Sequence, residues 1–209
     1  MQVNLIAYTP DPLNVIWRAY RQCKTPTPKD EPEKNKKRLI TNCIRLGHLS
    51  PLEHVSFTFA VSGISRATSH QLVRHRIASY SQLSQREHAP EDFIVPPEIA
   101  KDKVLTAAYH SHVETTLTIY QWLLSQGIKK EDARYILPQA MATSLMVTMN
   151  CRELLLFFKE LYTKLHQHGI KTMMVPSSIA RVSWCSFIYS SPMIPFNLAK
   201  NAALGIMVI

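Results

Sequence analysis

The sequence predicts an α+β fold: one domain over residues 1–209, with a small mixed or antiparallel sheet flanked by several helices. Three observations carry this expectation. The run HVSFTFAV sets Val55, Phe57, Phe59 and Val61 against Ser56, Thr58 and Ala60, the period of two that marks a half-buried strand. Leu105, Tyr109, Val113, Leu117, Tyr120 and Leu124 recur at helical spacing along a long segment. The chain has 209 residues and is 46% hydrophobic, enough to bury a core, and one domain is the default at this length.

In chain order, VNLIAY reads as a first strand, and PDPLNVIWRAYRQC as a helix with Asp11 as N-cap and Pro12 at its first position. KTPTPKDEPEKNKKR is Pro-rich and charged, a solvated loop entering the next helix. Gly63 is expected to end the second strand, and Ser65 to cap a helix over RATSHQLVRHR. The long amphipathic helix closes at Gly127, and KKEDARYILP is a short helix stopped before Pro138. MATSLMVTMNCRELLLFFKEL, apolar nearly throughout, reads as one buried helix.

Composition narrows the function classes. The formal net charge of +9 and a pI near 9.5 call for an anionic partner: nucleotide, polynucleotide or membrane surface. With 5 glycines and no repeat, neither disorder nor a solenoid is signalled. Cys23, Cys43, Cys151 and Cys185 lie far apart without a CxxC, so no disulfide framework or zinc site is indicated. The start MQVNLIAYTPDP lacks the pattern of a signal peptide, and no apolar run is long enough to span a bilayer, so a cytoplasmic setting without membrane attachment is expected. His48 with His54, His110 with His112 and His166 with His168 fit no metal motif, and no metal is expected.

RHRIASYSQLSQR, Arg74 to Arg86, gathers three arginines, a histidine, three serines and two glutamines with no acid. Its simplest reading is a basic helix end. Arg74, Arg76 and Arg86, however, are rigid forks that match phosphate oxygens, and Ser79, Ser81 and Ser84 add hydroxyl donors. Gln71 and Gln82 each present an acceptor and two donors, suited to an imide or pyrimidine edge. Tyr80 alone offers a stacking face, so the set fits a small phosphorylated ring ligand better than a polynucleotide. The sequence around Cys151 shows no nucleophile–base pattern, and Cys151 reads as a buried thiol.

This motif, with Gln71 ahead of it, resembles the signature of the flavin-dependent thymidylate synthases. GHLSPLEHVSFTF precedes it, and EDARYILP and TMNCRELLLFF come after it, so the resemblance runs from Met1 to Phe158. It implies methylation of dUMP to dTMP, with 5,10-methylenetetrahydrofolate as carbon donor, FAD as hydride carrier and NADPH as reductant. It also implies a homotetramer. A basic nucleic-acid-binding module rests on net charge alone, without a reading motif, so no nucleic-acid partner is expected. By position, Ser50, Arg74, His75, Arg76, Gln82, Asn150 and Arg152 resemble flavin contacts. Gln71, Arg74, Gln82, Ser84, Arg86 and Arg134 resemble dUMP contacts.

The sequence also departs from the family pattern. Gln82 stands where many members have Glu, Ser81 where many have Asn, and Leu156 where a polar flavin contact is usual. Leu161 occupies the position of an arginine that assists ionisation of the pyrimidine, so no catalytic residue is assigned. From Leu161 to Ile209 there is no Asp or Glu. Residues 161–209 are therefore expected to be a divergent tail. The second expectation is a synthase-like protein that binds FAD and dUMP but is catalytically impaired, with a degenerate or frameshifted C-terminus.

Overall fold

The structure, a computed structural model of the chain, describes residues 1–89 and 92–167, with side chains described as far as residue 160 in the last helix. Four strands form one sheet in the order β1-β2-β4-β3: β1 is Gln2–Tyr8, β2 Ser56–Ser65, β3 Ala78–Gln82 and β4 Ala142–Asn150. The helices are α1 Pro12–Gln22, α2 Glu33–Arg45, α3 Arg66–Leu72, α4 Pro97–Ala100, α5 Lys103–Ser125, α6 Lys130–Ala133 and α7 Cys151–Gln167, with single 3₁₀ turns at Ser50–His54 and Arg134–Ile136. This is the expected α+β class.

Residue contacts divide the chain into two compact units. One contains Met1–Gln2, Val61–Arg74 and Tyr80–Met146. The other contains Val3–Ala60, His75–Ser79 and, among the described residues, 147–167.

In the second unit the sequence dictates the local structure closely. Asp11 takes a left-handed φ of 43° and its Oδ1 accepts from the Asn14 N–H, so α1 starts at Pro12 as expected. Ile16, Trp17 and Tyr20 of α1 are buried, as are Ile40 and Ile44 of α2, and the two helices pack together. Lys36 sits 4.7 Å from the centroid of the Trp17 ring and donates to the side-chain oxygen of Asn14. Phe57, Phe59, Val147 and Met149 are buried on their strands, and burial of each such side chain stabilises by roughly 1.5–3 kcal/mol. Thr58 and Thr148 bond to each other at 2.9 Å.

The first unit departs from expectation in its strand and helix ends. Gly63 does not end β2; the strand continues to Ser65, passing through Gly63 at φ +68°. The positive φ favours glycine, and a Cβ there would lie 3.1 Å from the Met1 backbone, a tight contact. Ser65 does cap α3, accepting from the Thr68 N–H, but the helix stops at Leu72 and leaves Arg74-His75-Arg76 outside it. Of the apolar stripe on α5, Val113 and Tyr120 are buried while Leu105 is 55% exposed. Gly127 closes α5 at φ +82°, its N–H bonded to the Leu124 carbonyl.

The single buried helix expected from Met141 onward is corrected. Its first half is β4, in which Thr143, Leu145, Val147 and Met149 are buried on alternate positions, and α7 begins only at Cys151. The bonds Thr58–Thr148 and Arg66 N–H to Met141 carbonyl run in opposite numerical senses, so β2 and β4 are antiparallel.

Gly63→Ala is expected to destabilise the protein by about 1–3 kcal/mol, the usual cost of a non-glycine residue in that backbone region. Urea unfolding measures it, and an unchanged midpoint would contradict the described course of β2.

Candidate active site

The first unit contains all the residues for which the resemblance implies contact with dUMP. Gln71 is exposed on the last turn of α3, and Arg74 lies just beyond it. The Tyr80 hydroxyl donates to the Leu72 carbonyl at 2.9 Å, which fixes β3 against the end of α3. Ser84 comes shortly after β3 and its Oγ accepts from the Arg86 N–H at 3.2 Å. Arg86 makes an exposed 3.4 Å pair with Glu131, an interaction worth little in water. Arg134 donates from Nε to the Glu131 carbonyl at 3.1 Å and lies 6.0 Å from the Tyr135 ring, with no carboxylate partner among the described residues.

Gln82 points inward. Its Nε2 donates to Ser69 Oγ at 2.7 Å and to Thr143 Oγ1 at 3.2 Å, and both hydroxyl residues are buried. Ser69 spends its own proton on the Arg66 carbonyl at 2.9 Å. The serine oxygen therefore needs a donor from position 82, which glutamine supplies and a carboxylate does not. This accounts physically for glutamine where the resemblance implies Glu, and it leaves only the Oε1 acceptor of Gln82 for a ligand.

Two cavities open in this unit. One, of about 400 Å³, is lined by Arg66, His70, Gln85, Arg134 and Tyr135 among others. The other, of about 250 Å³, is lined by Arg66, Ser84, Gln85 and Thr143 among others. Ser84 and Arg134 are thus each brought beside a cavity, whereas Gln71, Arg74 and Arg86 line neither. Arg66 lines both, although its place in the sequence does not single it out. Burial, and after it the charge of Arg134, holds the Arg66 guanidinium below its ordinary pKa.

The second unit contains Ser50, His75, Arg76, Asn150 and Arg152, all implied flavin contacts. Ser50 is exposed at the start of its 3₁₀ turn. Asn150 ends β4 and caps α7, its Oδ1 accepting from the Glu153 N–H at 2.8 Å, which leaves its amide N–H groups for another partner. Arg152 is paired with Glu53. Arg76 is exposed and forms no ion pair among the described residues. His75 Nδ1 lies 3.7 Å from a Glu153 oxygen, and its ring meets Phe157 edge-on at 4.9 Å.

Glu153, buried at 6% exposure, is a second residue that sequence reasoning misses. The signal is present: Asn150-x-x-Glu153 ahead of an apolar run is the capping pattern of a helix start. Cys151 is fully buried, as expected of a structural thiol. Leu156 is half-buried, and the side chain of Leu161 lies outside the described residues.

The fold is that of an α+β protein, and its cavities are lined by arginine, serine and glutamine donors. Comparison with known proteins is specific. A family model, the thymidylate synthase complementing protein, matches residues 4–176, which carries the likeness beyond Phe158. The flavin-dependent thymidylate synthase of Nitratidesulfovibrio vulgaris is 43% identical over 179 residues, covering 76% of this chain and 73% of that protein. That of Clostridium tetani is 37% identical over 217 residues, covering 92% and 87%. Among solved structures, thymidylate synthase X from Helicobacter pylori with FAD and dUMP has a TM-score of 0.62 at 27% identity, covering 77% of this chain and 83% of that one. The UMP/dUMP methylase PolB of Streptomyces cacaoi, bound with 5-Br dUMP, has a TM-score of 0.68 at 26% identity, covering 76% of each. The chain belongs to the flavin-dependent thymidylate synthase family.

Gln82→Glu is expected to lower stability at pH 7 by about 1–3 kcal/mol, because the Ser69 oxygen loses its donor. A protonated carboxyl regains one, so the folded state raises the pKa of the new group. The loss should shrink below the ordinary glutamate pKa and grow as pH rises through the raised value. Denaturant unfolding at pH 4 and pH 7 checks this, and equal losses at both would contradict the bonding described.

Proposed function

We propose that this chain is an FAD-dependent thymidylate synthase that methylates dUMP to dTMP, drawing the carbon from 5,10-methylenetetrahydrofolate and reducing equivalents from NADPH. The observation that carries the reading is the set Arg74, Arg76 and Arg134, none ion-paired among the described residues, in a member of this family. Solvated arginines leave their partners open, and phosphate is the anion their planar forks match best.

The residues present fit a flavin by the chemistry of their donors. Arg76 and Arg152 suit a pyrophosphate, and the amide N–H groups of Asn150 suit a ring carbonyl, with Ser50, Arg74, His75 and Gln82 completing the set. FAD, when bound, carries the hydride, so the protein's task is to bind, orient and polarise. Arg134, Arg86 and Ser84 hold the nucleotide phosphate in this reading, and Gln71, Arg74 and Gln82 hold the nucleotide beside it. Glu153 keeps His75 in one orientation through the 3.7 Å contact, supported by Phe157.

Residues 1–209 constitute one domain in this reading, acting in the cytoplasm without a nucleic-acid or membrane partner. None of the described helices is long and apolar enough to cross a membrane. A homotetramer is supported by α5, which exposes Leu105, Ile119 and Trp122, apolar surface of the kind a partner chain covers. A second reading, a chain that binds FAD and dUMP but turns over slowly, rests on Leu161 at the arginine position.

Tritium release from dUMP labelled at C5, dependent on added methylenetetrahydrofolate and NADPH, tests the proposal; no release from flavin-loaded protein would favour the second reading. Arg134→Ala is expected to weaken dUMP binding about tenfold or more, since a charge-assisted contact contributes about 1.5–3 kcal/mol and about 1.4 kcal/mol is one decade. Calorimetry reads that change. Arg76→Ala should lower the flavin retained through purification and make it more sensitive to salt, as the visible absorption spectrum would show. Undiminished flavin in that variant would remove Arg76 from the cofactor site.

A further inference from the structure

A cavity of about 370 Å³ in the second unit is lined by Arg21, Glu31, Asn35, Arg38, Leu39 and Asn42, none of them an implied dUMP or flavin contact. Asn35, Arg38, Leu39 and Asn42 recur at helical spacing and so share one face of α2. The two asparagines lie about 10 Å apart along that helix, at about 1.5 Å per residue. Arg21, in the last turn of α1, donates to Glu31 from Nε at 2.9 Å and also from Nη2. Both bonds end on Oε1, which leaves Oε2 of Glu31 as an acceptor.

The basic side chains beside Arg38 have acid partners: Arg21 pairs with Glu31, Lys36 with Asp30 and Lys37 with Glu33. Arg38 is exposed and makes no ion pair or side-chain hydrogen bond among the described residues, and neither carboxamide of Asn35 and Asn42 makes one. The groove thus offers one charged fork, two carboxamides and one carboxylate acceptor. A phosphate dianion matches it poorly, because Glu31 repels it. A chain that alternates carboxylates with amide groups matches every member. Arg38 takes a carboxylate, the asparagines pair with the amides, Glu31 accepts an amide N–H, and Leu39 lies under the methylenes.

The groove is also tied to the implied flavin contacts of its own unit. The hydroxyl of Tyr20, one residue before Arg21, donates to the carbonyl of His48, two residues before Ser50. α1 packs against both α2 and the turn that Ser50 opens.

We propose that this groove is the subsite for the glutamyl end of the folate cosubstrate, with Arg38 as its specificity-determining contact. This rests on the reading of methylenetetrahydrofolate as carbon donor. The role is binding alone, with no covalent step.

The test is calorimetry on the flavin-loaded full chain with pteroate, pteroyltriglutamate and 2′,5′-ADP, for the wild type, Arg38→Gln and Arg38→Glu. The two pteroyl ligands share a ring system and differ in the glutamyl chain. The wild type should bind the triglutamate about tenfold or more tightly than pteroate, and added salt should narrow that ratio. Arg38→Gln should reduce the ratio about three- to tenfold and Arg38→Glu further, with pteroate and 2′,5′-ADP affinities little changed. Arg38 is exposed, so both variants should keep the wild-type Tm. A wild type without the preference, or a ratio unchanged in both variants, would overturn the subsite. Loss of 2′,5′-ADP affinity with an unchanged glutamyl ratio would give the groove to the phosphate of NADPH and overturn it as well. Each of these results leaves the proposed function standing where tritium release from dUMP still depends on methylenetetrahydrofolate. Release without that dependence would overturn both.

Discussion

The pairing of β2 with β4 at the centre of the sheet is the interaction on which the rest depends. Its register sets Thr58 against Thr148 and leaves alternate residues, Phe57 and Phe59 on one strand and Val147 and Met149 on the other, buried. A slip of one residue would turn every one of these side chains to the opposite face, so the hydrophobic pattern locks the register. The register in turn fixes the segment that each strand leads into. β2 delivers Ser65 and Arg66, with the Arg66 N–H bonded to the Met141 carbonyl, and β4 delivers Asn150, Arg152 and Glu153. Chemistry-bearing residues thus sit where strands become helices, at positions the sheet holds rigidly.

The polar groups around those strand ends obey a strict accounting. Ser69 gives its proton to the Arg66 carbonyl and receives one from Gln82, and Thr143 receives another from the same amide. Asn150 spends its oxygen on the helix it caps. Buried polar groups are satisfied almost everywhere in proteins, so the exceptions carry information. Among the described residues the exceptions are Trp17, Tyr120 and Arg66, of which only Arg66 bears a charge and lines a cavity. An arginine that the protein itself does not complete marks a place where a ligand can.

Much of this is legible in the sequence, and the failures have physical causes. Asp11, Ser65 and Gly127 act through local backbone chemistry, so their caps are readable from a few residues. The β4 strand escapes recognition because its period of two runs directly into the apolar start of α7, and the joined stretch looks like one buried helix. β3 is hidden because ASYSQ shows no apolar alternation; its place depends on pairing with β4. Gly63 reads locally as a terminator, whereas the strand bends through it past Met1, a contact distant in sequence. The site divides in the same way. Arg74 to Arg86 announces itself by composition, while Arg66 gains its meaning from Arg134 and Leu83, which only the fold brings near.

In the proposed function the uncompensated arginines of this chain receive phosphate groups, and every ligand contact assigned to them follows from that claim. Ligands that bind only the native state raise its unfolding temperature, and at equal concentration the tighter ligand raises it more. The most direct measurement is therefore thermal unfolding with FAD and dUMP, compared with riboflavin and deoxyuridine at equal concentrations and low salt. A clear rise in Tm is predicted with the phosphorylated pair, lost progressively as salt is added, and little rise with the other. Equal rises from both pairs would show that the rings alone provide the binding, and would contradict the claim.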